Sequence, residues 1–528
     1  MIIPPPTAYG LPAKFSTWRQ HQAEASIRSI ETQKRFSTIV APTGFGKSAV
    51  AETIARYSGR SAYLTITKAL QDQIASEISD RYDIRGKSNY LCSVLLDNGL
   101  QPRQSTVDQA DAMCEGCDLK DRTCEYYSRH RRARLEQRLI TNYAKWMSTD
   151  EAQLGEFDVL ICDEAHGAPE RISARMRAEL RAEWIEEFCR EKTPEYGRRS
   201  VEEWSNWAGR HLRKLEGRLE GAAAAVASGQ RARARELRTL RSLVRALGGL
   251  QGAGEGWIED RSGGDGMDRT AFEPVWPRAY GETLFRGVSK IVLLSATIRP
   301  KTLDLMGIDP SDVDFAEYPS SFPVDRRPVY SLPNAAIRFG MDPSEIADAV
   351  RKVDMVIDYR LDRKGIIHSV SFEWARQIMK YSRHRGRMLF NEPRDQETKQ
   401  TAEVVERFRA AGPGAVLIGP SYDTGWDFEG RQAEYQIIWK VPLLNRKSSP
   451  IADARCAEDP TYDGYQAMQK IVQMTGRPMR SKDDQCETFI VDDSFWNWFW
   501  RNNKQFAPRW WADGYKGQSM LVPPPAAL

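Results

Sequence analysis

A glycine-rich segment between residues 41 and 48 has the composition of a phosphate-binding loop. It reads Ala41-Pro42-Thr43-Gly44-Phe45-Gly46-Lys47-Ser48, with alanine where such loops begin with glycine. Backbone N–H groups of such a loop cradle phosphate oxygens, and the dipole of the following helix adds to the attraction. An ammonium and a hydroxyl group at adjacent positions suit the phosphates of ATP and a bound Mg2+. We therefore predict a nucleotide site at Thr43, Gly44, Gly46, Lys47 and Ser48; a plain turn after a strand is the alternative.

Two neighbouring carboxylates follow the apolar run Val159-Leu160-Ile161-Cys162. Parallel sheets bind ligands at the carboxyl ends of their strands, which is where Asp163 and Glu164 would lie. We predict that Asp163 ligates Mg2+, as Ser48 does, and that Glu164 acts as general base on the attacking water. The alternative is an acidic strand end exposed to solvent, which the phosphate loop earlier in the chain makes less favourable.

Two arginines near the C-terminus, Arg477 and Arg480, have the spacing of one helix face. A γ-phosphate that is losing its bond develops negative charge, which guanidinium groups stabilise from across a cleft. We predict this role for both residues. A solvated basic stripe is the alternative for either arginine taken alone.

Four of the eight cysteines form a group, and they are Cys92, Cys114, Cys117 and Cys124. Four thiolates suit either a structural Zn2+ or an iron-sulfur cluster, and neither softness nor spacing chooses between the two. The remaining cysteines stand apart in the sequence, and we interpret them as small buried hydrophobic residues.

Two arginine-rich stretches could meet a polyanion. One runs from Arg129 to Arg134 directly after the last grouped cysteine, and the other from Arg231 to Arg245. The first could hold nucleic-acid phosphates or form a solvated helix face. For the second, a nucleic-acid path and a contact with a recruiting protein stay open.

The elements that must position these residues read as an α/β protein. Short apolar runs bounded by polar turns are typical of parallel strands buried on both faces. After the β-prone run Phe36–Val40, such runs occur at 157–162, 291–294, 365–368, 415–418 and 435–438. They predict two lobes, at 1–300 and 301–528. The first is interrupted by the cysteine segment (87–138) and a helical insertion (170–265). Leucines at three- and four-residue steps predict a helical hairpin with its turn near 222–229, and the stretch 248–268 reads as a loop.

The bulk composition is that of an ordinary globular protein, with 41% hydrophobic and 28% charged residues and a formal net charge of +4. No apolar run has the length of a membrane span, and the N-terminus lacks the pattern of a secretory signal. We expect a cytoplasmic, nucleoid-associated monomer without a membrane partner. Because the net charge is small, it neither favours nor excludes a polyanionic ligand.

These motifs, taken in order, resemble the DEAH-type helicases of superfamily 2, and more closely the XPD/DinG family of iron-sulfur DNA helicases. Asp163-Glu164-Ala165-His166 is the DEAH box itself. Further matching segments run from Trp18 to Trp511, and they are Arg19 with Gln22, Thr65 to Gln73, Thr141-Asn142-Tyr143, Ser295-Ala296-Thr297, Gly365 to Ser369, Gly425-Trp426-Asp427 and Gln473 to Arg480.

The resemblance implies the following. The two lobes would be RecA-like P-loop lobes, and Arg19, Gln22, His166, Gly425 and Asp427 would join the ATP site. Gln473 would act with Arg477 and Arg480 in hydrolysis. The four cysteines would hold a 4Fe-4S cluster, and the helical insertion would arch over DNA. The activity would be ATP-driven 5'-to-3' movement on single-stranded DNA and unwinding of DNA forks.

Some residues depart from the family pattern. Thr424 stands where an acid is usual, Trp426 is bulky for its place, and Asp492-Asp493-Ser494 lacks an expected arginine. These departures put the transfer of coupling details in doubt. Two other functions also stay open. One is a translocase that removes proteins or opens RNA–DNA hybrids; the other is a nucleic-acid-binding scaffold with weak ATPase activity, against which the intact motor motifs speak.

Overall fold

The computed structural model describes residues 3–97, 101–114, 117–192, 197–260, 269–391, 397–420, 422, 426–428, 430–479 and 484–525. Within these ranges the chain forms two parallel sheets of seven strands and one small antiparallel sheet. The strands in chain order are β1 (Phe36–Val40), β2 (Ser61–Thr65), β3 (Tyr82–Asp83), β4 (Arg138–Asn142), β5 (Val159–Asp163), β6 (Ala178–Arg181), β7 (Trp257–Asp260), β8 (Arg269–Pro274), β9 (Lys290–Ser295), β10 (Val313–Glu317), β11 (Val329–Ala335), β12 (Gly365–His368), β13 (Met388–Phe390), β14 (Val416–Gly419), β15 (Tyr435–Ile438), β16 (Glu487–Asp492) and β17 (Tyr515–Gln518).

The first lobe is built on the sheet β10-β1-β9-β5-β2-β4-β3, in which every neighbouring pair is parallel. All residues of β1, β2 and β5 are buried, because helices cover both faces of the sheet. Two apolar clusters, one on each face, form the core of this lobe. The continuous apolar runs in the sequence predicted this kind of strand correctly.

The second lobe is built on the sheet β13-β14-β12-β15-β16-β11-β17, again parallel throughout. Strands β12, β14 and β15 are fully buried. The predicted bounds of β12 and β15 agree with the structure, and those of β14 differ by one residue at each end. The prediction of an α/β fold with two parallel-sheet lobes is therefore confirmed.

Helices connect the strands and cover the sheets. Those of eight residues or more are Gln22–Glu31, Lys47–Ser58, Lys68–Glu77, Glu125–Ala133, Ala168–Met176, Val201–Ala227, Ala234–Gln251, Pro343–Asp358, Phe372–Tyr381, Glu397–Ala410, Pro450–Glu458 and Tyr462–Thr475. The shorter ones are Ser93–Asp97, Tyr143–Ser148, Glu151–Leu154, Ala182–Trp184, Glu282–Phe285, Pro300–Leu305, Trp500–Asn503 and Arg509–Ala512. Within the described ranges, none of the helices combines the length and apolar character that a bilayer span requires.

The first lobe ends later than the predicted boundary at residue 300. Strand β10 pairs with β1 along its whole length, from Phe36 opposite Val313 to Val40 opposite Glu317. The second sheet begins only with β11 at Val329. The boundary was misplaced because β10 is an edge strand with alternating polar residues, and its pattern is weaker than that of a buried strand.

The helical insertion contains the predicted hairpin. The helices Val201–Ala227 and Ala234–Gln251 pack along each other, and Ser200 and Glu203 form a capping box at the start of the first helix. The chain reverses after Ala227, slightly later than predicted. The hairpin packs on the antiparallel sheet β6-β8-β7. The stretch 248–268 contains the end of the helix Ala234–Gln251 and strand β7, so the prediction of a loop was wrong for residues 248–251 and 257–260. Residues 261–268 lie outside the described part.

The cysteine segment leaves the first sheet after β3 and returns at β4, which is the neighbouring strand. It consists of short helices, the helix Glu125–Ala133 and one isolated bridge between Leu91 and Thr106. The helical hairpin contacts this segment, because Arg241 donates hydrogen bonds to the carbonyl oxygen of Asp111 at 3.2 Å and to its carboxylate at 3.3 Å. Arg238 contacts the carbonyl oxygen of Gln109. The two insertions therefore touch, although they lie far apart in sequence.

Candidate active site at the lobe interface

The predicted phosphate loop lies between β1 and the helix Lys47–Ser58. Gly44 and Gly46 have φ angles of 76° and 81°, a left-handed conformation that favours glycine. This backbone turns the chain sharply and places Lys47 and Ser48 in the first turn of the helix, where free N–H groups face the loop. The Lys47 ammonium donates to the carbonyl oxygens of Ala41 at 3.1 Å and Pro42 at 3.3 Å. The side chain is thus folded over the loop.

Two residues from the N-terminal side hold the loop in this shape. The Gln22 amide, which is 3% exposed, donates to the carbonyl oxygens of Phe45 at 2.7 Å and Gly46 at 3.3 Å. The Arg19 guanidinium donates to the carbonyl oxygen of Gly44 at 2.9 Å. A Cβ atom added to Gly46 would lie 2.4 Å from the Gln22 amide nitrogen. Arg19 and Gln22 therefore belong to the same site as the loop.

Asp163 is the last residue of β5 and lies beside the phosphate loop. Its carboxylate accepts hydrogen bonds from the Tyr63 hydroxyl at 3.2 Å and from the Glu164 backbone N–H at 3.0 Å. Burial and the negative charge of Glu164 raise the pKa of Asp163 to about 6, and the positive charge of Lys47 partly offsets this rise. A positive ion bound at this carboxylate would lower the pKa of Asp163 and stabilise its ionised form.

Glu164 follows with a φ angle of 49°, so the backbone turns and directs the side chain toward the lobe interface. Its carboxylate accepts a hydrogen bond from the Ser295 hydroxyl at 3.3 Å and lies 3.3 Å from His166 Nδ1. Burial alone would raise the pKa of Glu164, but His166, Lys47 and Arg477 outweigh it, and the pKa lies well below its usual value. Glu164 is therefore ionised at neutral pH.

A series of side-chain contacts leads from the acid pair to the second lobe. His166 Nδ1 lies 2.8 Å from the Ser295 hydroxyl, and the Thr297 backbone N–H donates to the same hydroxyl at 3.2 Å. The Gln473 amide donates to the Thr297 hydroxyl at 3.1 Å. The Arg477 guanidinium donates to the Gln473 side-chain oxygen at 3.2 Å. The series connects β5, β9 and the helix Tyr462–Thr475.

The end of this helix also meets the phosphate loop. The Thr43 hydroxyl donates to the carbonyl oxygen of Gly476 at 3.1 Å. Arg477 lies 3.7 Å from the Asp427 carboxylate, and its charge acts on Glu164 across the interface. The structure thus brings Thr43, Lys47, Asp163, Glu164, His166, Gln473, Arg477 and Asp427 into one site. Two predicted site residues, Gly425 and Arg480, lie outside the described residues.

The four grouped cysteines belong to one small unit. Cys92, Cys114 and Cys124 pack in an apolar cluster with Tyr90, Val107, Tyr126 and Tyr127. The Cys117 backbone N–H donates to the carbonyl oxygen of Cys114 at 3.4 Å. Among the described residues, however, no three His, Cys, Asp or Glu side chains are grouped closely enough to hold a metal ion. Four thiols suit such a cluster by their chemistry, but the described side chains are not gathered at metal-binding distances.

The arginines that follow the cysteines are largely paired with acids. Arg132 lies 2.7 Å from the Glu136 carboxylate, and Arg138 lies 3.0 Å from that of Asp80. His130 is buried against Tyr126, and burial lowers its pKa to about 4. These contacts favour the interpretation of a solvated helix face for this stretch.

Two tyrosines of the site were not predicted from the sequence. Tyr63 and Tyr143 surround Asp163, the first through its hydroxyl and the second by donating to the Asp163 carbonyl oxygen at 2.9 Å. Beyond the catalytic groups, Trp510 donates a hydrogen bond to Ala296 of the first lobe, and Trp511 donates one to Thr475 of the second. The signal for the tyrosines was weak, since only their place on or after buried strands marks them.

Two family models match parts of the chain. The helicase C-terminal domain matches residues 361–514, and the res subunit of type III restriction enzymes matches residues 15–192. Among proteins of curated function, none matches the sequence significantly.

Solved structures match nearly the whole chain. A structure titled XPD helicase is 15% identical with a TM-score of 0.62, over 94% of this chain and 99% of that one. An XPD apo structure is 13% identical with a TM-score of 0.57, over 95% and 100%. Xpd4 of S. tokodaii is 14% identical with a TM-score of 0.55, over 95% and 100%. At these identities the likeness shows a shared fold.

Proposed function

We propose that this chain, an XPD-like superfamily 2 helicase by its fold and its matched domains, is an ATP-dependent DNA helicase that moves 5'-to-3' on single-stranded DNA and unwinds forks. The fold and the two matched domains support a helicase motor. The choice of DNA and the direction of movement come from the resemblance of the motifs.

The observation that carries the proposal is the hydrogen-bonded series from Glu164 to Arg477. It connects the residue that would orient the attacking water with an arginine of the other lobe, through Ser295, Thr297 and Gln473. A static nucleotide-binding scaffold has no need of such a connection. A motor does, because hydrolysis in the cleft has to change the contacts between its lobes.

The residues of the cleft have distinct roles in this proposal. Lys47 would leave the carbonyl oxygens of its own loop and bind the β- and γ-phosphates of ATP. The Ser48 hydroxyl and the Asp163 carboxylate would hold Mg2+, which neutralises charge on the phosphates. Glu164, kept ionised, would accept a hydrogen bond from the attacking water. Arg477 would stabilise the charge that develops on the γ-phosphate.

ATP hydrolysis with and without single-stranded DNA tests the motor. We expect DNA to stimulate hydrolysis and Lys47→Ala to abolish it, while Lys34→Ala, a change of an exposed lysine outside the cleft, leaves it intact. Wild-type protein without DNA-stimulated hydrolysis would contradict the proposal and favour a scaffold.

Strand displacement tests direction and substrate. Partial duplexes with either a 5' or a 3' single-stranded tail should be unwound only from the 5' tail. A parallel series with RNA–DNA hybrids and with protein-blocked duplexes distinguishes a helicase from a translocase that clears hybrids or proteins. Faster action on those substrates than on a plain DNA fork would contradict the proposed preference.

We also propose that Cys92, Cys114, Cys117 and Cys124 hold a 4Fe-4S cluster. The first support is that three of these cysteines pack in one apolar cluster with three tyrosines. The second is that the four cysteines lie at the point of the first lobe where the family that the motifs resemble carries its cluster. Protein purified without oxygen should absorb at about 400 nm and contain iron and sulfide. Cys114→Ser should remove both signals. A colourless protein that contains zinc would contradict the cluster.

A further inference from the structure

The C-terminal helix Arg509–Ala512 lies at the interface between the two lobes. It carries two adjacent tryptophans, Trp510 and Trp511, which are 5% and 2% exposed. Both pack in an apolar cluster of the second lobe that also contains Ala296 from the first lobe. Apolar packing involves only the indole rings, so the hydrogen-bond acceptor of each indole N–H indicates which segment the tryptophan positions.

The Trp510 indole N–H donates across the interface to the carbonyl oxygen of Ala296, at 3.1 Å. Ala296 lies between Ser295, which contacts Glu164 and His166, and Thr297, which accepts the bond from Gln473. Trp510 therefore holds the backbone at the centre of the series that joins the lobes. The carbonyl oxygen is buried, and losing the donor would leave it without this partner.

The Trp511 indole N–H points to a different motor segment. It donates to the Thr475 hydroxyl at 2.7 Å, and that hydroxyl donates to the carbonyl oxygen of Val472 at 2.9 Å. Thr475 lies two residues before Arg477 at the end of the helix that carries Gln473. Trp511 thus supports this helix end within the second lobe.

The backbone of the tryptophan pair is held from both sides. The Arg509 backbone N–H donates to the Glu317 carboxylate at 2.5 Å, and Glu317 also pairs with Arg299 of the first lobe at 2.9 and 3.0 Å. Arg327, which precedes β11, contacts the carbonyl oxygen of Trp510. The indoles therefore occupy fixed positions between segment 295–297 and the helix that ends at Thr475.

We propose that Trp510 is a positioning residue that couples ATP hydrolysis to lobe movement by holding Ala296 against the second lobe, while Trp511 positions the helix end that carries Arg477. The inference rests on the proposed helicase function. A lobe movement that separates Ala296 from the second lobe breaks the bond between Trp510 and Ala296, because its two atoms belong to different lobes. The Trp511 bond stays within one lobe and is not stretched.

Three tryptophan-to-phenylalanine variants test this assignment. Trp510→Phe and Trp511→Phe keep an aromatic ring and remove one N–H each. Trp498→Phe is the matched control, since Trp498 is 41% exposed and lies outside the site. For each variant of the full-length protein, kcat and KM for DNA-stimulated ATP hydrolysis are measured together with the base pairs unwound per ATP. Thermal unfolding of each variant reports on its fold.

We expect Trp510→Phe to keep kcat and KM within about twofold and to lower the base pairs unwound per ATP by roughly fivefold or more, as loss of a buried hydrogen bond implies. Trp511→Phe should lower kcat roughly fivefold without changing the ratio, and Trp498→Phe should change neither. Equal losses of hydrolysis and unwinding in Trp510→Phe would overturn the inference, and so would no loss at all. Wild-type protein without DNA-stimulated hydrolysis would overturn the proposed function as well.

Discussion

Gln473 of the second lobe donates a hydrogen bond from its side-chain amide to the hydroxyl of Thr297 in the first lobe, at 3.1 Å, and both side chains are buried. The same Gln473 side chain accepts a bond from Arg477 at 3.2 Å. One amide group thus fixes the arginine and contacts the other lobe. Because the orientation of the Gln473 amide depends on both neighbours, a change at Thr297 should alter the position of Arg477.

The first prediction concerns this pair. Thr297→Val and Gln473→Ala should each lower kcat for DNA-stimulated ATP hydrolysis by roughly tenfold, since each leaves a buried polar partner unsatisfied. The double variant should be little worse than the poorer single variant, because both changes remove one shared interaction. Gln466→Ala is the control: Gln466 lies on the same helix and bonds the first-lobe Glu170 at 2.9 Å, outside the site. Fully additive effects would contradict the pairing.

The second prediction concerns the hydrogen bonds from Gln22 to the phosphate loop. Gln22→Ala should raise KM for ATP by roughly tenfold and change kcat less, because the carbonyl oxygens of Phe45 and Gly46 lose a buried donor and the loop loses its preset shape. Gln33→Ala, in an exposed position of the same region, is the control. Steady-state kinetics over a range of ATP concentrations measure both constants. An unchanged KM would contradict this role.

The third prediction concerns pH. Because folding raises the pKa of Asp163 to about 6, its contribution to stability is present at acid pH and is lost as the pH rises through that value. Without Mg2+, Asp163→Asn should therefore be more stable than wild type at pH 8 by up to about 3 kcal/mol, and the difference should vanish below about pH 4. Thermal unfolding in a chelating buffer across this range measures it.

Glu164 should show the opposite sign, since its pKa is depressed in the folded protein. Its ionised form stabilises the fold above the ordinary pKa of a glutamate, and this contribution is lost as the pH falls. Glu164→Gln should accordingly be less stable than wild type at pH 8, with the difference closing at acid pH. If the stability difference from wild type had the same sign for both variants at pH 8, the pKa values of Asp163 and Glu164 would not be shifted in opposite directions.

The fourth prediction concerns Arg455, a buried arginine of the second lobe. It donates to the carbonyl oxygen of Val275 at 2.6 Å and to the Ser173 hydroxyl at 2.8 Å, both in the first lobe. Arg455→Met should destabilise this contact by about 1 to 3 kcal/mol, because a buried carbonyl oxygen loses its donor. Faster hydrogen exchange in β8, next to Val275, would report the loss.

Arg446→Met is the control for that experiment. Arg446 pairs with Asp453 at 2.7 Å, but both side chains are about half exposed, and such surface pairs contribute little. We expect its effect on exchange in β8 to be undetectable. If both variants behaved alike, the contact of Arg455 with the first lobe would not stabilise β8.

The sequence was sufficient for features whose signal is local. Strands buried on both faces are short, mostly apolar runs of β-prone residues bounded by polar turns, which is why β1, β12 and β15 were predicted with their observed bounds. The phosphate loop and the acid pair are short segments whose chemistry depends on adjacent residues. Their meeting at one sheet edge follows from the parallel sheet and needed no further information.

Features that depend on tertiary contacts were missed or misplaced. Strand β10 carries polar residues because it lies at a sheet edge, and β7 follows a glycine-rich stretch that reads as a loop. The packing of Trp510 could be predicted from its apolar character, but the target of its N–H could not, since Ala296 lies in another lobe. The distances between the cysteine side chains likewise depend on how the segment folds. The catalytic and binding roles of all the site residues stay predictions, and Arg480 and Gly425 lie outside the described residues.

The order of strands in the first sheet has a consequence for how such a chain can vary. The cysteine segment departs from β3 and rejoins at β4, and the helical insertion departs after β5 and rejoins before β9; in each case the two strands are hydrogen-bonded neighbours. Each insertion therefore begins and ends at adjacent positions in the sheet. The entropic cost of closing such a loop grows only slowly with its length. The first sheet can accept longer, shorter or exchanged insertions at these two places while its own strand pairing stays intact. We therefore expect the two insertions to vary more among related chains than the sheet that carries them.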